Sequence, residues 1–529
     1  MEKYVIYSSL IDDNPKEKYA HDGVDAEVGL SKRIAEWLGD GACAANDSET
    51  HAYEILVGEV DRPRSKDTLA KLGLNQYGIF CYADGIAVCG HCAASILMAG
   101  ELLMATDREL LTEGYSNIVT HDAWWIDYPS FKRGEYCGMT DCSYDRIETV
   151  YKNTCESDLD AYLSDLEAVG FERVFSNAIE QNRYERLERE GKFVHVTFLG
   201  RTGKTSVISG DKDKCKTVTP CYIDTSKGCK VTLTQMALDY TCGSFGMGYI
   251  IRLEDGSFVI IDGGNVRSKN GYPKTFDYVR LYTLLKELNQ REDGQIVISA
   301  WFMTHEHADH FWVFYWLCRE YGDKVTVKAY YDCSCTDAVS YNSKNPDFHT
   351  TRGRLSRSQE WVGGFERVTL MAGDVLEFGN VKFEILYTVD DLFPERLHYF
   401  NDSSFVCTMT YGGQKTLWLG DICTAPSRFL RENYSEKTLA SDIVQLAHHG
   451  LNGAERELYD LADGKVLLWS LRDRLVKAMF AEEDPVEEHK KLAYHFRDEM
   501  NVKEIITHTK NNDTLTLPYD PESGEHELL

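Results

Sequence analysis

Three histidines and an aspartate fall within six consecutive residues near the middle of the chain, in the order His305, Glu306, His307, Ala308, Asp309, His310. Neutral imidazole and ionised carboxylate are the groups with which proteins bind zinc, iron or manganese. Grouping them without a partner would lower stability if the cluster were buried. The spacing therefore predicts a metal site.

The apolar runs on either side indicate how this cluster is positioned. Residues 297–303 form a continuous apolar run that is typical of a buried strand, and residues 311–317 form the apolar start of a helix. The cluster is therefore predicted to lie on a strand-to-helix turn, where its side chains can converge on one point.

Three more apolar strands are predicted to end in groups of the same chemistry. Asp262 follows residues 257–261, Asp421 follows residues 414–419, and the pair His448 and His449 follows residues 443–446. Each of these endings is weak evidence alone, because a strand followed by a polar turn is common. Their order along the chain, together with the histidine cluster, strengthens the prediction of a metal site.

The H-x-H-x-D-H motif and these endings resemble the metallo-β-lactamase fold superfamily. The resemblance covers about residues 230–515 and implies an αββα sandwich with the metals at one edge. It implies that Asp262 buttresses the metal loop by hydrogen bonds and that Asp421 bridges two metals. His305 and His307 would hold one metal, and Asp309, His310 and His448 the other. His449 is the alternative to His448, and the histidine that is not a ligand would contact substrate or carry a proton.

One position departs from the common pattern of that superfamily. The stretch 397–406 contains an Asn-x-x-Ser pattern at Asn401, and with the Leu-Gly-Asp and His-His-Gly segments it resembles the metallo-β-lactamase-like domain of bacterial competence proteins. In that subgroup an asparagine stands where others have a third histidine for the first metal. His398 is close enough in sequence to be a substitute ligand or to contact substrate.

The resemblance implies a metal-dependent hydrolase that uses a metal-bridged hydroxide, with Asp309 as the catalytic residue that orients it. Two Zn²⁺ ions are expected, with Mn²⁺ or Fe as alternatives. The substrate would be a small or oligomeric phosphodiester, with an ester-type bond next. The alternative is a metal-containing binding or sensing protein without turnover.

The amino-acid composition limits the kinds of partner that the protein is expected to bind. The 529 residues carry a formal net charge of −28, which disfavours nucleic acid as a partner because phosphate neutralisation needs clustered Lys and Arg. No signal segment and no apolar run long enough to span a bilayer is found, so we expect a cytoplasmic protein without a membrane partner. The 16 cysteines then indicate reduced thiols.

The first half of the chain is predicted to form two small domains before the hydrolase domain at 226–529, giving an α/β fold class overall. Residues 1–115 form an α/β accessory domain that resembles the small non-catalytic domain of several glycoside hydrolases. Residues 116–145 are expected to be an irregular linker, and residues 146–225 a small α+β domain. The Cys89-Gly-His-Cys92 motif matches a dithiol redox site, although no other feature of such a site follows.

Overall fold

The structure is a computed structural model. It describes residues 3–8, 26–39, 41–120, 127–238, 246–265, 277–335, 346–395, 397, 399–451, 453–481, 486–508 and 512–523.

The first domain is one six-stranded sheet with helices packed on it. Its strands are β1 (Lys3–Tyr7), β2 (Ala42–Asn46), β3 (Glu54–Val57), β4 (Gln76–Tyr82), β5 (Gly85–Gly90) and β6 (Ser116–Thr120), and its helices are α1 (Ala26–Leu38), α2 (Pro63–Leu69) and α3 (Ala93–Ala105). The strand order is β2-β1-β3-β5-β4-β6. Cys89 and Cys92 lie at the junction between β5 and α3, where burial raises the pKa of both thiols to about 12. A redox dithiol needs a thiolate near neutral pH, so this junction does not favour that chemistry.

The second domain is an antiparallel sheet covered by one helix. Its elements are β7 (Glu135–Cys142), β8 (Arg146–Lys152), α4 (Glu156–Ala168), β9 (Glu172–Ile179), β10 (Asn182–Arg189), β11 (Lys192–Leu199) and β12 (Lys204–Asp211). The strand order is β7-β8-β12-β11-β10-β9. Leu159, Tyr162, Leu163 and Leu166 form the buried face of α4, as the helical spacing of these residues predicts.

The stretch 116–145, which the sequence analysis expected to be an irregular linker, contributes a strand to each of these sheets. β6 is the edge strand of the first sheet and pairs with β4, while β7 is the edge strand of the second and pairs with β8. A shift of register between Tyr136 and Gly138 interrupts the alternation of buried and exposed residues in β7, which hides the strand in the sequence. Residues 121–126 lie outside the described part of the chain.

The rest of the chain builds two mixed sheets. The third sheet contains β13 (Thr232–Gln235), β14 (Gly248–Arg252), β15 (Phe258–Asp262), β16 (Ile296–Phe302), β17 (Val325–Val327), β18 (Ala329–Asp332), β19 (Glu366–Thr369) and β27 (Asp513–Thr516). The fourth contains β20 (Val375–Phe378), β21 (Val381–Tyr387), β22 (Val406–Tyr411), β23 (Gln414–Trp418), β24 (Ile443–Gln445), β25 (Val466–Arg472) and β26 (Glu504–His508). The path through the third sheet is β19-β18-β16-β15-β14-β13-β27, with β17 paired to β16, and the order of the fourth is β20 through β26 in sequence.

Helices cover the outer faces of both sheets. They are α5 (Asp277–Leu288), α6 (Ala308–Tyr321), α7 (Pro346–Trp361), α8 (Thr424–Asn433), α9 (Glu436–Leu439), α10 (Arg456–Ala462), α11 (Asp473–Phe480) and α12 (Glu487–Tyr494). Phe302 and Phe383 meet across the two sheets with ring centroids 5.0 Å apart. Trp301, on the opposite face of β16, packs on Phe314 of α6 with centroids 4.7 Å apart. The predicted αββα sandwich, preceded by smaller sheet-containing domains, is confirmed.

None of the helices in the described part of the chain combines the length and the apolar character that a bilayer crossing requires.

Candidate metal centre

Four strand ends bring the candidate residues to one edge of the sandwich. β15 and β16 run parallel in the third sheet, so Asp262 and the segment that follows β16 lie at the same end. β23 and β24 run parallel in the fourth sheet, so Asp421 and the turn Ala447–Gly450 also lie together. The carboxyl ends of parallel strands meet at one sheet edge, which is why residues more than 180 positions apart in the sequence can form one site.

The predicted ligands form two overlapping groups. The ligand atoms of His305, His310 and Asp421 lie within 4.8 Å of one another, and so do those of Asp309, His310 and His449. Asp421 Oδ2 lies 3.2 Å from His310 Nε2, 3.5 Å from His449 Nε2 and 4.0 Å from His305 Nε2. Asp421 thus faces members of both groups, which is the position that a bridging carboxylate requires.

His307 lies at the outer side of the first group. Its Nδ1 is 2.8 Å from His305 Nε2, and its ring packs on Phe400 with centroids 4.9 Å apart. His305 is buried, whereas His307 and Asp309 are partly exposed. Solvent therefore reaches the centre from the side of His307 and Asp309.

The structure separates the two histidines that follow β24. His449 Nε2 lies 3.4 Å from Asp309 Oδ2, inside the cluster, whereas His448 Nε2 lies 3.2 Å from the side-chain amide of Asn401. The geometry favours His449 as the ligand, and the sequence analysis had preferred His448. Both residues have left-handed backbones, with φ of 49° and 58°, and this turn decides which imidazole faces the cluster.

Asp262 supports the cluster from behind. Its carboxylate accepts hydrogen bonds from the Thr304 amide at 2.8 Å and the Thr304 hydroxyl at 2.9 Å, and it lies 2.7 Å from His310 Nδ1. A carboxylate in this position fixes the orientation of the imidazole and leaves its Nε2 for a metal. This is the geometry that the proposed buttressing role requires.

Several positioning residues escaped the sequence analysis. Gln445 Oε1 accepts hydrogen bonds from the amides of Leu419 and Gly420 at 2.8 and 2.7 Å, which fixes the turn before Asp421. The Ser470 hydroxyl lies 3.3 Å from His449 Nδ1. The one signal that could have identified Gln445 is a glutamine within a buried apolar strand, because buried amides need partners.

Two of the proposed contact residues have no demonstrated contact with the ligand groups. Asn401 is buried, and its described polar contact is with His448. His398 lies outside the described residues.

The charges of the cluster are strongly coupled. Burial alone would lower the pKa of His310, but the carboxylates of Asp421 and Asp262 outweigh it and hold that pKa well above its usual value. Burial alone would raise the pKa of Asp421, but His310 and His449 outweigh it and hold that pKa well below its usual value. For His305, burial and the neighbouring imidazoles lower the pKa.

The donor set fits one or two metal ions. Asp421 Oδ1 is buried and accepts no hydrogen bond from the described residues, although an ionised carboxylate oxygen in a protein interior needs a partner. His305, His310 and His449 offer nitrogen donors on the other sides. Imidazole and carboxylate together suit zinc, iron or manganese.

Comparison with known proteins gives a family match for part of the chain. Residues 244–421 match the family model described as the metallo-beta-lactamase superfamily. Among solved structures, the metallo-beta-lactamase fold protein YhfI from Bacillus subtilis is 12% identical, with a TM-score of 0.31, and the match covers 54% of this chain and 99% of that one. CmlA, a diiron beta-hydroxylase from Streptomyces venezuelae, is 15% identical, with a TM-score of 0.32 and 55% of each chain covered. No curated protein matches the sequence significantly.

Proposed function

We propose that this chain, which carries a metallo-beta-lactamase superfamily domain at residues 244–421, is a metal-dependent hydrolase. The observation that carries the proposal is the position of Asp421, which lies within 4.0 Å of three imidazoles from two different segments and keeps one oxygen without a partner among the described residues. Structural ion pairs do not need this arrangement, whereas a bridging metal ligand does.

Each candidate residue has a proposed role. His305 and His307 would hold one metal, Asp309, His310 and His449 the other, and Asp421 both. Bound metals would lower the pKa of a water molecule and so supply a nucleophile at neutral pH. Asp309 would orient that water, because its carboxylate is the partly exposed one in the cluster. We propose two Zn²⁺ ions, with Mn²⁺ or Fe as alternatives.

The proposed substrate is a phosphodiester, and a carboxylic ester, lactone or thioester is the next candidate. The resemblance to competence proteins at Asn401 and in the His-His-Gly segment supports the phosphodiester. The net charge of −28 argues for a small substrate over a long nucleic acid, which would be repelled.

The test compares Asp421→Ala with Asp323→Ala, which removes an exposed carboxylate in the turn after α6. Wild type and both variants would be analysed for metal by inductively coupled plasma mass spectrometry and assayed on bis(p-nitrophenyl) phosphate and p-nitrophenyl acetate. We expect Asp421→Ala to lose metal and about a hundredfold or more in rate, because metal assistance is worth several kcal/mol. Asp323→Ala should behave as wild type.

Full activity in Asp421→Ala would contradict the proposal. A wild-type protein that holds metal but turns over neither substrate class would favour the alternative function, a metal-containing protein that binds or senses a ligand.

A further inference from the structure

The loop of residues 303–307, between β16 and α6, carries two candidate ligands and, between them, the buried carboxylate of Glu306. We call this segment the metal loop. β16 and β18 run parallel and pair with each other, so the metal loop and the residues after β18 lie at the same edge of the third sheet. The Met303 amide donates to the Tyr331 carbonyl at 2.9 Å. A contact that holds Glu306 at this edge therefore also holds the histidines on either side of it.

Glu306 is bound from the end of β18. The Ser334 hydroxyl lies 3.0 Å from Glu306 Oε1 and 2.7 Å from Asp332 Oδ2. All three residues are buried. Hydrogen bonds in a protein interior are stronger than in water, and breaking them is costly. The serine therefore connects the carboxylate of the metal loop to Asp332.

The donors around Asp332 decide what the serine can do for Glu306. A serine hydroxyl carries one hydrogen, so at any moment it donates to one of the two carboxylates. Asp332 Oδ2 also accepts from Arg367 Nη2 at 2.6 Å and from the Tyr144 hydroxyl at 3.2 Å. These two donors supply Asp332 and leave the serine hydrogen for Glu306. Removing one of them would draw that hydrogen back to Asp332.

Tyr144 comes from the second domain, where it lies in the turn between β7 and β8 with φ of 62°. A left-handed backbone is unfavourable for a bulky side chain and persists where the surroundings enforce it. The neighbouring Arg146 pairs with Asp390 of the sandwich at 2.6 Å. The guanidinium of Arg367 lies over the Tyr144 ring, 4.5 Å from its centre. The turn is thus held against the sandwich, with the tyrosine hydroxyl directed at the end of β18.

We propose that Tyr144 is a positioning residue of the candidate metal centre, so that the second domain takes part in metal binding. Its hydroxyl acts through Asp332 and Ser334 to hold Glu306, and with Glu306 the two histidines of the metal loop. This role rests on the metal centre of the proposed function and is independent of the substrate. None of these four residues is a candidate metal ligand.

The test measures the zinc affinity of the full-length protein, prepared free of metal and titrated with zinc in competition with a chromophoric chelator. Tyr144→Phe removes one hydroxyl and keeps the ring. We expect this variant to bind zinc at least about threefold more weakly than wild type, the size of effect that loss of one hydrogen bond produces. Tyr184→Phe is the matched control, because the Tyr184 hydroxyl lies 2.7 Å from the Tyr434 hydroxyl between the same two domains. The control should bind zinc as wild type does.

A second pair of variants tests the connection next to the metal loop. Ser334→Ala should weaken zinc binding by about tenfold or more, as is typical when a residue that orients metal ligands is lost. Ser299→Ala should bind zinc normally, because it removes a buried hydroxyl of the same sheet that donates to Ser257 instead, at 2.9 Å. Adding Tyr144→Phe to Ser334→Ala should cause no further loss, since the connection to Glu306 is already broken.

Urea denaturation of the metal-free proteins separates positioning from stability. Tyr184→Phe should lower the denaturation midpoint at least as much as Tyr144→Phe, because Tyr184 is buried and Tyr144 is half-buried. Only Tyr144→Phe should also lose zinc affinity.

Wild-type zinc affinity in either Tyr144→Phe or Ser334→Ala would overturn the proposal, because these contacts would then not hold the metal loop. An equal loss of affinity in Tyr184→Phe would overturn it too, since any loosening between the two domains would then have the same effect. So would additive losses in the double variant. All three results leave the proposed hydrolase intact, whereas a wild-type protein that binds neither zinc, manganese nor iron would overturn both.

Discussion

Single residues at the candidate metal centre adopt backbone conformations that most side chains avoid. Asp262, His448 and His449 all have positive φ, at 56°, 49° and 58°. Such conformations cost about 1–3 kcal/mol each and persist where the surroundings enforce them. Here the enforced turns direct one carboxylate and one imidazole towards the same cluster.

Replacing each of the two histidines after β24 tests which of them is a metal ligand. His449→Ala should lose metal and activity, because His449 Nε2 lies within 3.5 Å of both Asp309 and Asp421. His448→Ala should keep its metal, because His448 contacts Asn401. Metal content by mass spectrometry after dialysis separates the two, and the opposite pattern would assign the ligand to His448.

At the scale of secondary structure elements, the site depends on short turns held by residues outside the ligand set. The turn after β24 leads to Gly450, and the neighbouring strand β25 supplies Trp469, whose indole donates to the His449 carbonyl at 2.8 Å. At the end of β24, the side chain of Gln445 is hydrogen-bonded to the turn before Asp421. The ligand positions therefore follow from the pairing of β23, β24 and β25.

Substituting Gly450 tests how tightly this turn is constrained. A Cβ at Gly450 would lie 2.2 Å from Trp469 Nε1, and the backbone has φ of +67°. Gly413, in the turn between β22 and β23, has φ of +84° but nothing within 4 Å of a Cβ, so it is a matched control. Gly413→Ala should lower the free energy of unfolding by about 1 kcal/mol from backbone strain alone. Gly450→Ala should lower the free energy of unfolding, measured by urea denaturation, by clearly more than this and should release metal. Equal losses in the two variants would show that the turn can relax.

Much of the site could be predicted because its ligand types stand next to each other or at the ends of apolar strands. The choice between His448 and His449 could not, since it depends on two left-handed residues in a turn that no periodicity encodes. β7 was missed because its bulge breaks the alternation of side chains, and β6 because its five residues are exposed or half-buried and none of them is fully buried. Contacts between domains could not be predicted either, because the paired residues are far apart in the sequence: Arg146 and Asp390 are separated by 244 positions.

At the scale of the whole molecule, the second domain is joined to the sandwich by buried polar contacts. Arg146 pairs with Asp390 at 2.6 Å, Arg186 pairs with Asp374 at 2.5 Å, and the hydroxyls of Tyr184 and Tyr434 lie 2.7 Å apart. All these side chains are buried. These contacts hold the second domain in a fixed position against the sandwich.

The Arg146–Asp390 pair gives the sharpest test of that junction. Its side chains are 0% and 5% exposed, so Asp390→Asn would leave a buried guanidinium without its counter-charge, which costs about 3–5 kcal/mol. The control is Glu395→Gln, which breaks the neighbouring pair with Arg428, whose side chains are about 40% exposed. Exposed pairs contribute about 1 kcal/mol or less, so this variant should unfold close to wild type. The midpoint of urea denaturation measures the stability of both variants.

A double variant, Arg146→Met with Asp390→Leu, should recover much of the stability lost in Asp390→Asn, because it removes both charges from the interior. If Asp390→Asn is no worse than Glu395→Gln, the junction tolerates an unpaired charge, and the second domain is held by its other contacts.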